Sequence, residues 1–329
     1  MHDSFITMNK LGFFYDSNEA LRVDHLSIEK GLTTVFLGSN GSGKTTILKI
    51  LSGLIIPSRG RISKEAVDIK KDTIMVHQVP YLFLGTVKYN IDFGLKISKI
   101  PADKRNTIVE KVLKQAGLLH LIHRNTSQLS GGEKHRLAIA RAVAVDPEVL
   151  ILDEPFAHID EESRKLIEQL IDMRAESGKT TILSTHDLTS AYRLADRVIY
   201  LENGKIKEPE YNFLKGSVAQ RDDHFCSFMA GREKQGVTVL APASNGNHRA
   251  AVVPYSDIFL SKDSIETSAQ NQFSGEIISL RKTGSRYIVT IDCGVELKAV
   301  ITDLSVKEFR IKEKKKIFVN FKATAVRLY

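Results

Sequence analysis

The chain has 329 residues, 42% of them hydrophobic and 26% charged, with a formal net charge of +8 and only two cysteines. That length exceeds one average domain, and the composition is that of a globular protein rather than a disordered or fibrous one. No apolar run approaches the roughly 18–20 residues that span a bilayer, no secretory leader is readable at the start, and Cys226 and Cys293 form no C-x-x-C pair, so the expectation is a cytosolic chain without a disulfide framework or zinc knuckle.

In chain order, the apolar runs TTVFL (33–37), TIMV (73–76), VLIL (149–152), TTILS (180–184) and RVIYL (197–201) predict strands buried on both faces. Helical spacing lies between them. Val109, Val112, Leu113 and Ala116 fall at i, i+3, i+4 and i+7 between Pro101 and Gly117, and Leu188, Ala191, Tyr192 and Ala195 repeat that spacing after the fourth strand. Alternating strands and helices imply an α/β domain with a parallel-sheet core. Beyond residue 205, YNFLKGSVAQRDDHFCSF shows no clear period and reads as a linker or short extra helix. The runs GEIISL, YIVTI, ELKAVI and KIFVNF then predict a small all-β domain. The expected division is 1–225, a linker and start of the β domain over 226–265, and 266–329. Residues 271–329 carry 12 Lys and Arg against 6 Asp and Glu, so the positive excess sits in the tail; it suits an anion or simply a solvated basic face.

Gly38, Ser39, Asn40, Gly41, Ser42, Gly43, Lys44, Thr45 and Thr46 span the pattern G-x-x-x-x-G-K-[ST] between a predicted strand and a predicted helix. Glycines there let successive backbone N–H groups turn toward phosphate oxygens; Lys44 is placed for the β- and γ-phosphates and Thr45 for Mg²⁺. Asp153 and Glu154 end the strand VLIL, which puts a carboxylate for Mg²⁺ and one to polarise water beside that loop. A second glycine turn, Ser130, Gly131 and Gly132, opens a helix and offers free N–H groups and a positive dipole end, or is simply a helix cap. No H-E-x-x-H or comparable histidine spacing suggests zinc hydrolase chemistry.

LSGGE, about twenty residues before LILDEP, together with the phosphate loop, resembles the ATPases of ABC transporters over residues 5–205. That resemblance implies a P-loop NTPase fold with a helical subdomain and two ATP molecules held between head-to-tail subunits. Ser130, Gly131 and Gly132 would then be the signature turn, contacting in trans the ATP of the partner. It further implies that Tyr15 stacks on adenine, that Gln78 is the Q-loop residue touching Mg²⁺, that Glu154 acts on the attacking water, and that His186 contacts the γ-phosphate. FAHID (156–160) resembles the D-loop, with His158 where a small residue is common, and Glu133 replaces the more usual Gln.

The tail resembles the TOBE or Mop module of importer ATPases, its strings ETSAQNQFSGEI and FKATAVRL being similar to the molybdate and tungstate branch. Ser268 and Lys322 match the positions implied to hold an oxyanion, with Gln270 in place of the usual Arg; they equally suit a dimerising barrel. The resemblance implies an ATP-hydrolysing subunit at the cytoplasmic membrane face, using ATP and Mg²⁺, with a second copy of itself. Separate permease subunits and an extracytoplasmic oxyanion-binding protein would complete it, and no nucleic acid is expected. Tungstate is placed ahead of molybdate. Alternative readings are an importer of sulfate, sugar, polyamine or iron, and a soluble ABC ATPase acting on ribosomes or DNA. Tyr81, Phe83 and Leu84 are the expected permease contact.

Overall fold

The computed structural model of the protein describes residues 4–64, 72–231 and 236–329. It divides into two compact units, Met1–Lys207 and Glu208–Tyr329. The first unit contains a nine-stranded sheet in the order β4-β1-β2-β9-β8-β3-β7-β6-β5. Its strands are β1 (Ser4–Tyr15), β2 (Asn18–Glu29), β3 (Thr33–Leu37), β4 (Arg59–Lys64), β5 (Thr73–Val76), β6 (Val149–Asp153), β7 (Thr180–Thr185), β8 (Arg197–Glu202) and β9 (Lys205–Lys207). The five predicted strands are β3, β5, β6, β7 and β8, and they pair in parallel, as uninterrupted apolar runs require when helices cover both faces. β3, β6 and β7 are buried throughout.

Helix α1 (Lys44–Leu51) follows β3 and buries Ile47, Leu48, Ile50 and Leu51 in one core with Leu21, Val23 and Ile151. Helices α2 (Val87–Ile97), α3 (Ala102–Gln115) and α4 (Gly131–Ala144) pack on one another as a helical layer. The apolar spacing at 109–116 lies on α3, whose Val109, Val112 and Leu113 are buried. Helix α5 (Glu161–Glu176) leads into β7, and α6 (Leu188–Leu194) follows it. The hairpin β1–β2 and the edge strand β4 extend the sheet with antiparallel pairing.

The second unit carries the expected β domain, with its four predicted strands, but begins earlier than expected. Residues 211–228 are not a linker or helix: β10 (Tyr211–Arg221) pairs with β11 (Phe225–Ala230) and with β13 (Ala250–Pro254). With β12 (Val237–Pro242) and β19 (Arg327–Leu328) they form one five-stranded sheet. The others, β14 (Phe259–Ser261), β15 (Asn271–Thr283), β16 (Arg286–Asp292), β17 (Glu296–Thr302) and β18 (Lys316–Phe321), form a second. One hydrophobic cluster, including Phe228, Val253, Ile277, Val289, Val319 and Phe321, joins the sheets, and β10 through β13 contribute inward residues to it; the boundary therefore falls near 207 rather than at 225. A short helix, α7 (Asp303–Glu308), follows β17.

Candidate nucleotide site

The phosphate loop follows β3 directly. Gly43 sits at the N-cap of α1 with φ 102°, a left-handed conformation that L side chains resist, and a Cβ there would lie 3.1 Å from the Ala20 carbonyl. No side chain caps α1, which leaves its first N–H groups for a ligand. The loop is braced from behind, since Gly204 N–H donates to the Ser42 carbonyl at 2.9 Å. Lys44 Nζ folds back and donates to the carbonyls of Gly38 (2.7 Å) and Ser39 (3.0 Å).

The end of β6 meets this loop. Asp153 Oδ1 accepts from Ser184 Oγ at 2.7 Å and Thr45 Oγ1 at 3.2 Å. Ser184 Oγ in turn accepts the Glu154 N–H at 3.0 Å, which fixes Glu154 in a left-handed conformation with φ 46°. A non-glycine residue held there stores strain of the kind found at functional sites. The Glu154 carboxylate is almost wholly buried, 3.1 Å from Lys44 Nζ through Oε1 and 3.0 Å from His186 Nδ1 through Oε2. Lys44, Glu154 and His186 thus meet in one place, and Thr45 and Asp153 in an adjoining one. A cavity of ≈ 610 Å³ lies over Lys44, Thr45 and Glu154, lined also by Tyr15, Asn40, Gly41, Gly43, Thr46 and Gln78, while Asp153 and His186 stand outside its lining. Tyr15 is 48% exposed and edge-on to Phe13, leaving its ring free for a planar partner.

Ser130, Gly131 and Gly132 do not line this cavity. Ser130 N-caps α4: its Oγ accepts the Glu133 N–H, and the Glu133 carboxylate accepts the Ser130 N–H at 2.7 Å, a complete capping box. The helix therefore starts at Gly131. The two glycines differ. A Cβ on Gly131 meets nothing within 4 Å, whereas one on Gly132 would lie 2.5 Å from Ser163 Oγ and 2.7 Å from Asp160 Oδ2. Asp160 caps α5, and the N–H and hydroxyl of Ser163 hold its carboxyl below the usual range.

Helix α4 also grips the segment after β5. His135 Nε2 lies 2.8 Å from the Gln78 carbonyl, and Arg141 Nη2 donates to the Tyr81 carbonyl at 2.6 Å, with its guanidinium 5.0 Å over the Phe83 ring. Beside them runs an apolar groove of ≈ 300 Å³, lined in part by Tyr81, Phe83, Phe93 and Arg141; Tyr81 is 77% and Leu84 89% exposed.

Comparison with known proteins agrees with this geometry. The ABC transporter family model matches residues 21–157, and a TOBE domain matches 267–328. The molybdate/tungstate import ATP-binding protein of Pyrococcus abyssi is 35% identical, covering 94% of this chain and 96% of that protein. The chain belongs to the ATP-binding proteins of the ABC transporter family. The tungstate uptake system ATP-binding protein of Peptoclostridium acidaminophilum is 35% identical over 62% of this chain and 98% of its own. Among solved structures, the ATP-binding cassette MJ0796, a dimer bound to ADP and Pi in a post-hydrolysis state, superposes with a TM-score of 0.56, 28% identity and coverage of 62% and 97%.

In this ABC ATPase the cavity has further lining that the motifs do not reveal. Glu19 and Ala20 from the β1–β2 hairpin, and Asn203 and Gly204 from the β8–β9 turn, complete it. The Asn-Gly pair between two strands is a readable turn signal; the hairpin tip carries none that points to a nucleotide. Within the second unit, Ser268 and Lys322 are exposed on neighbouring segments. Asn271 pairs with Phe321, and the Gln270 carboxamide oxygen accepts the Ala323 N–H at 3.1 Å, so Gln270 has a backbone-capping role in place of an arginine's charge. No helix among the described residues is long and apolar enough to cross a membrane.

Proposed function

We propose that the protein is the ATPase subunit of an importer of tungstate or molybdate, acting as a head-to-tail pair at the cytoplasmic face of separate membrane subunits. The observation that carries the chemistry is the meeting of Glu154, Lys44 and His186 beneath a cavity walled by the phosphate loop. The substrate follows from similarity along the whole chain, tail included, to an import protein named for molybdate and tungstate. That full-length similarity does not favour an ATPase acting on ribosomes or nucleic acid.

In this reading the phosphate-loop N–H groups and Lys44 bind the phosphates, and Tyr15 stacks on the base. The Glu154 carboxylate takes the proton of a water whose oxygen attacks the γ-phosphorus, while the bond from that phosphorus to the β–γ bridging oxygen breaks, giving ADP and phosphate. His186, hydrogen-bonded to Glu154, reaches the γ-phosphate. The hydroxyl of Thr45 and the carboxylate of Asp153, already in contact, are hard oxygen donors of the kind Mg²⁺ takes, with the Gln78 carboxamide close by. Once bound, Mg²⁺ neutralises phosphate charge. Ser130, Gly131 and Gly132 serve the partner's ATP, a role compatible with the capping box because the Gly131 face is open. Tyr81, Phe83 and Leu84 face the permease, where an apolar groove meets exposed aromatic surface. An extracytoplasmic binding protein delivers the anion.

Ser268 and Lys322 are proposed to hold the oxyanion in the tail, where a hydroxyl and an ammonium suit a tetrahedral dianion. Calorimetric titration of the full chain with tungstate, molybdate and sulfate, beside Lys322→Ala, tests this: binding of one anion that weakens at least tenfold in the variant is expected, and an unaffected titration removes the site. For the function itself, replacing the chain in its own cells by Glu154→Gln should stop uptake of labelled tungstate. Undiminished tungstate and molybdate uptake would assign the ATPase to another cargo.

A further inference from the structure

We propose that His135 is a positioning residue that joins the Q-loop of one ATP site to the signature turn of the other. The imidazole stands on the second turn of α4, half-buried, with both nitrogens against backbone carbonyls: Nε2 is 2.8 Å from Gln78 O and Nδ1 is 3.3 Å from Gly131 O. Carbonyls only accept, so the ring must donate, and the 2.8 Å separation against 3.3 Å favours Nε2–H donating to the Gln78 oxygen. The other nitrogen abuts the first residue of the signature helix, which sets the ring between the two elements.

The consequence lies in what those carbonyls belong to. Gln78 lines the nucleotide cavity of this copy, whereas Gly131 and Gly132 stand outside it on the turn offered to the partner's ATP. Residues 78 and 131 are far apart in sequence, yet one imidazole spans them. Arg141 makes a second bond from α4 to the same segment, at Tyr81, so the loop cannot shift its backbone near Gln78 without drawing on α4. Occupancy of one site thereby sets the pose of the signature turn at the other. The residue type matters, because the side chain must donate from a short, planar group; an apolar residue of equal bulk fills the space and breaks the link.

The inference rests on the head-to-tail ATPase reading, so wild-type turnover and ATP-dependent dimerisation of the full chain are measured first; their absence would fail that reading and not this one. Given an active wild type, His135→Leu is expected to lower kcat about five- to tenfold, the scale of one lost hydrogen bond, with KM for ATP within about twofold. His135→Gln, whose carboxamide N–H can reach the same carbonyl, is expected to recover kcat to within about two- to threefold. Melting temperatures of the variants should agree within about 2 °C, and His135→Ala supplies the same contrast with Gln if Leu disturbs packing. Full activity in the Leu and Ala variants, equal loss in the Gln variant, or KM rising in step with the loss of kcat would overturn the proposal.

Discussion

Replacing Glu154 by glutamine separates what this carboxylate does before and after ATP arrives. Its Oε1 stands 3.1 Å from Lys44 Nζ with both side chains nearly buried, so an ATP phosphate competes with this carboxylate for the ammonium. At that distance the gross attraction is about 5 kcal/mol with an effective dielectric of about 20, and desolvation offsets much of it. A charge-assisted hydrogen bond is worth about 1.5–3 kcal/mol net, so removing this competing partner should tighten ATP binding by about tenfold or more. The variant keeps its geometry, because the amide oxygen still accepts from His186 and the backbone N–H still donates to Ser184. Turnover, however, loses its general base, a fall of about 10²- to 10⁴-fold. Equilibrium titration with MgATP, phosphate release and light scattering read the three quantities: tighter binding, lost turnover and an ATP-trapped dimer. Near-normal turnover would remove Glu154 from the base role. Unchanged or weaker binding would show that the Lys44 pair does not compete with nucleotide.

The signature glycines should separate cleanly: Gly132→Ala forces a Cβ against Ser163 and Asp160 and should lower the melting temperature by about 3–10 °C, while Gly131→Ala leaves it unchanged and weakens ATP-driven dimerisation instead. Ser130→Ala removes one arm of the capping box and should cost about 1 kcal/mol in chemical denaturation, with Ser130→Asn nearly neutral. Asp187, which caps α6, has its carboxyl below the usual range: burial opposes this, but bonds from Ser190 and Arg164 prevail. Because the folded pKa is depressed, its stabilisation is complete above the unfolded value near 4 and is lost as pH falls through the folded one. Asp187→Ala should therefore cost about 1–2 kcal/mol at neutral pH and progressively less in acid, as a urea titration across pH would show.

Much of the first unit is legible because its central strands are covered on both faces, so that Val149 through Leu152 or Thr33 through Leu37 read as unbroken apolar or small runs. The phosphate loop is legible for a related reason: its chemistry is carried by consecutive residues. Contacts made through the backbone of distant segments leave no such mark, and Ala20 and the His135–Gln78 link fall in that class. β10 was hidden differently. Its inward position Asn212 is polar yet buried, since its amide exchanges hydrogen bonds with the Lys298 backbone at 2.9 and 2.7 Å, and this interrupts the alternation expected of a strand. The outer half, Gly216 through Arg221, then lacks apolar residues to restore the pattern, apart from Val218 and Ala219.

Strand β9, three residues long, touches β2 through one paired position, Arg22 with Lys205, and the adjoining bond from Arg22 N–H to the Gly204 carbonyl. It is the only strand pairing among the described residues between the antiparallel flank, which carries Tyr15, Glu19 and Ala20, and the parallel core, which carries the phosphate loop, Asp153 and Glu154, and Arg197 of β8 adds a side-chain bond to the Ser27 carbonyl of β2 at 2.7 Å. The two ends of the nucleotide cavity are thus built to different tolerances. The phosphate end is set by a lattice of parallel strands, and the base end hangs from a short suture. Discrimination should accordingly be strict for the number and charge of phosphates and lenient for the identity of the base, a division of labour written into the sheet before any ligand arrives.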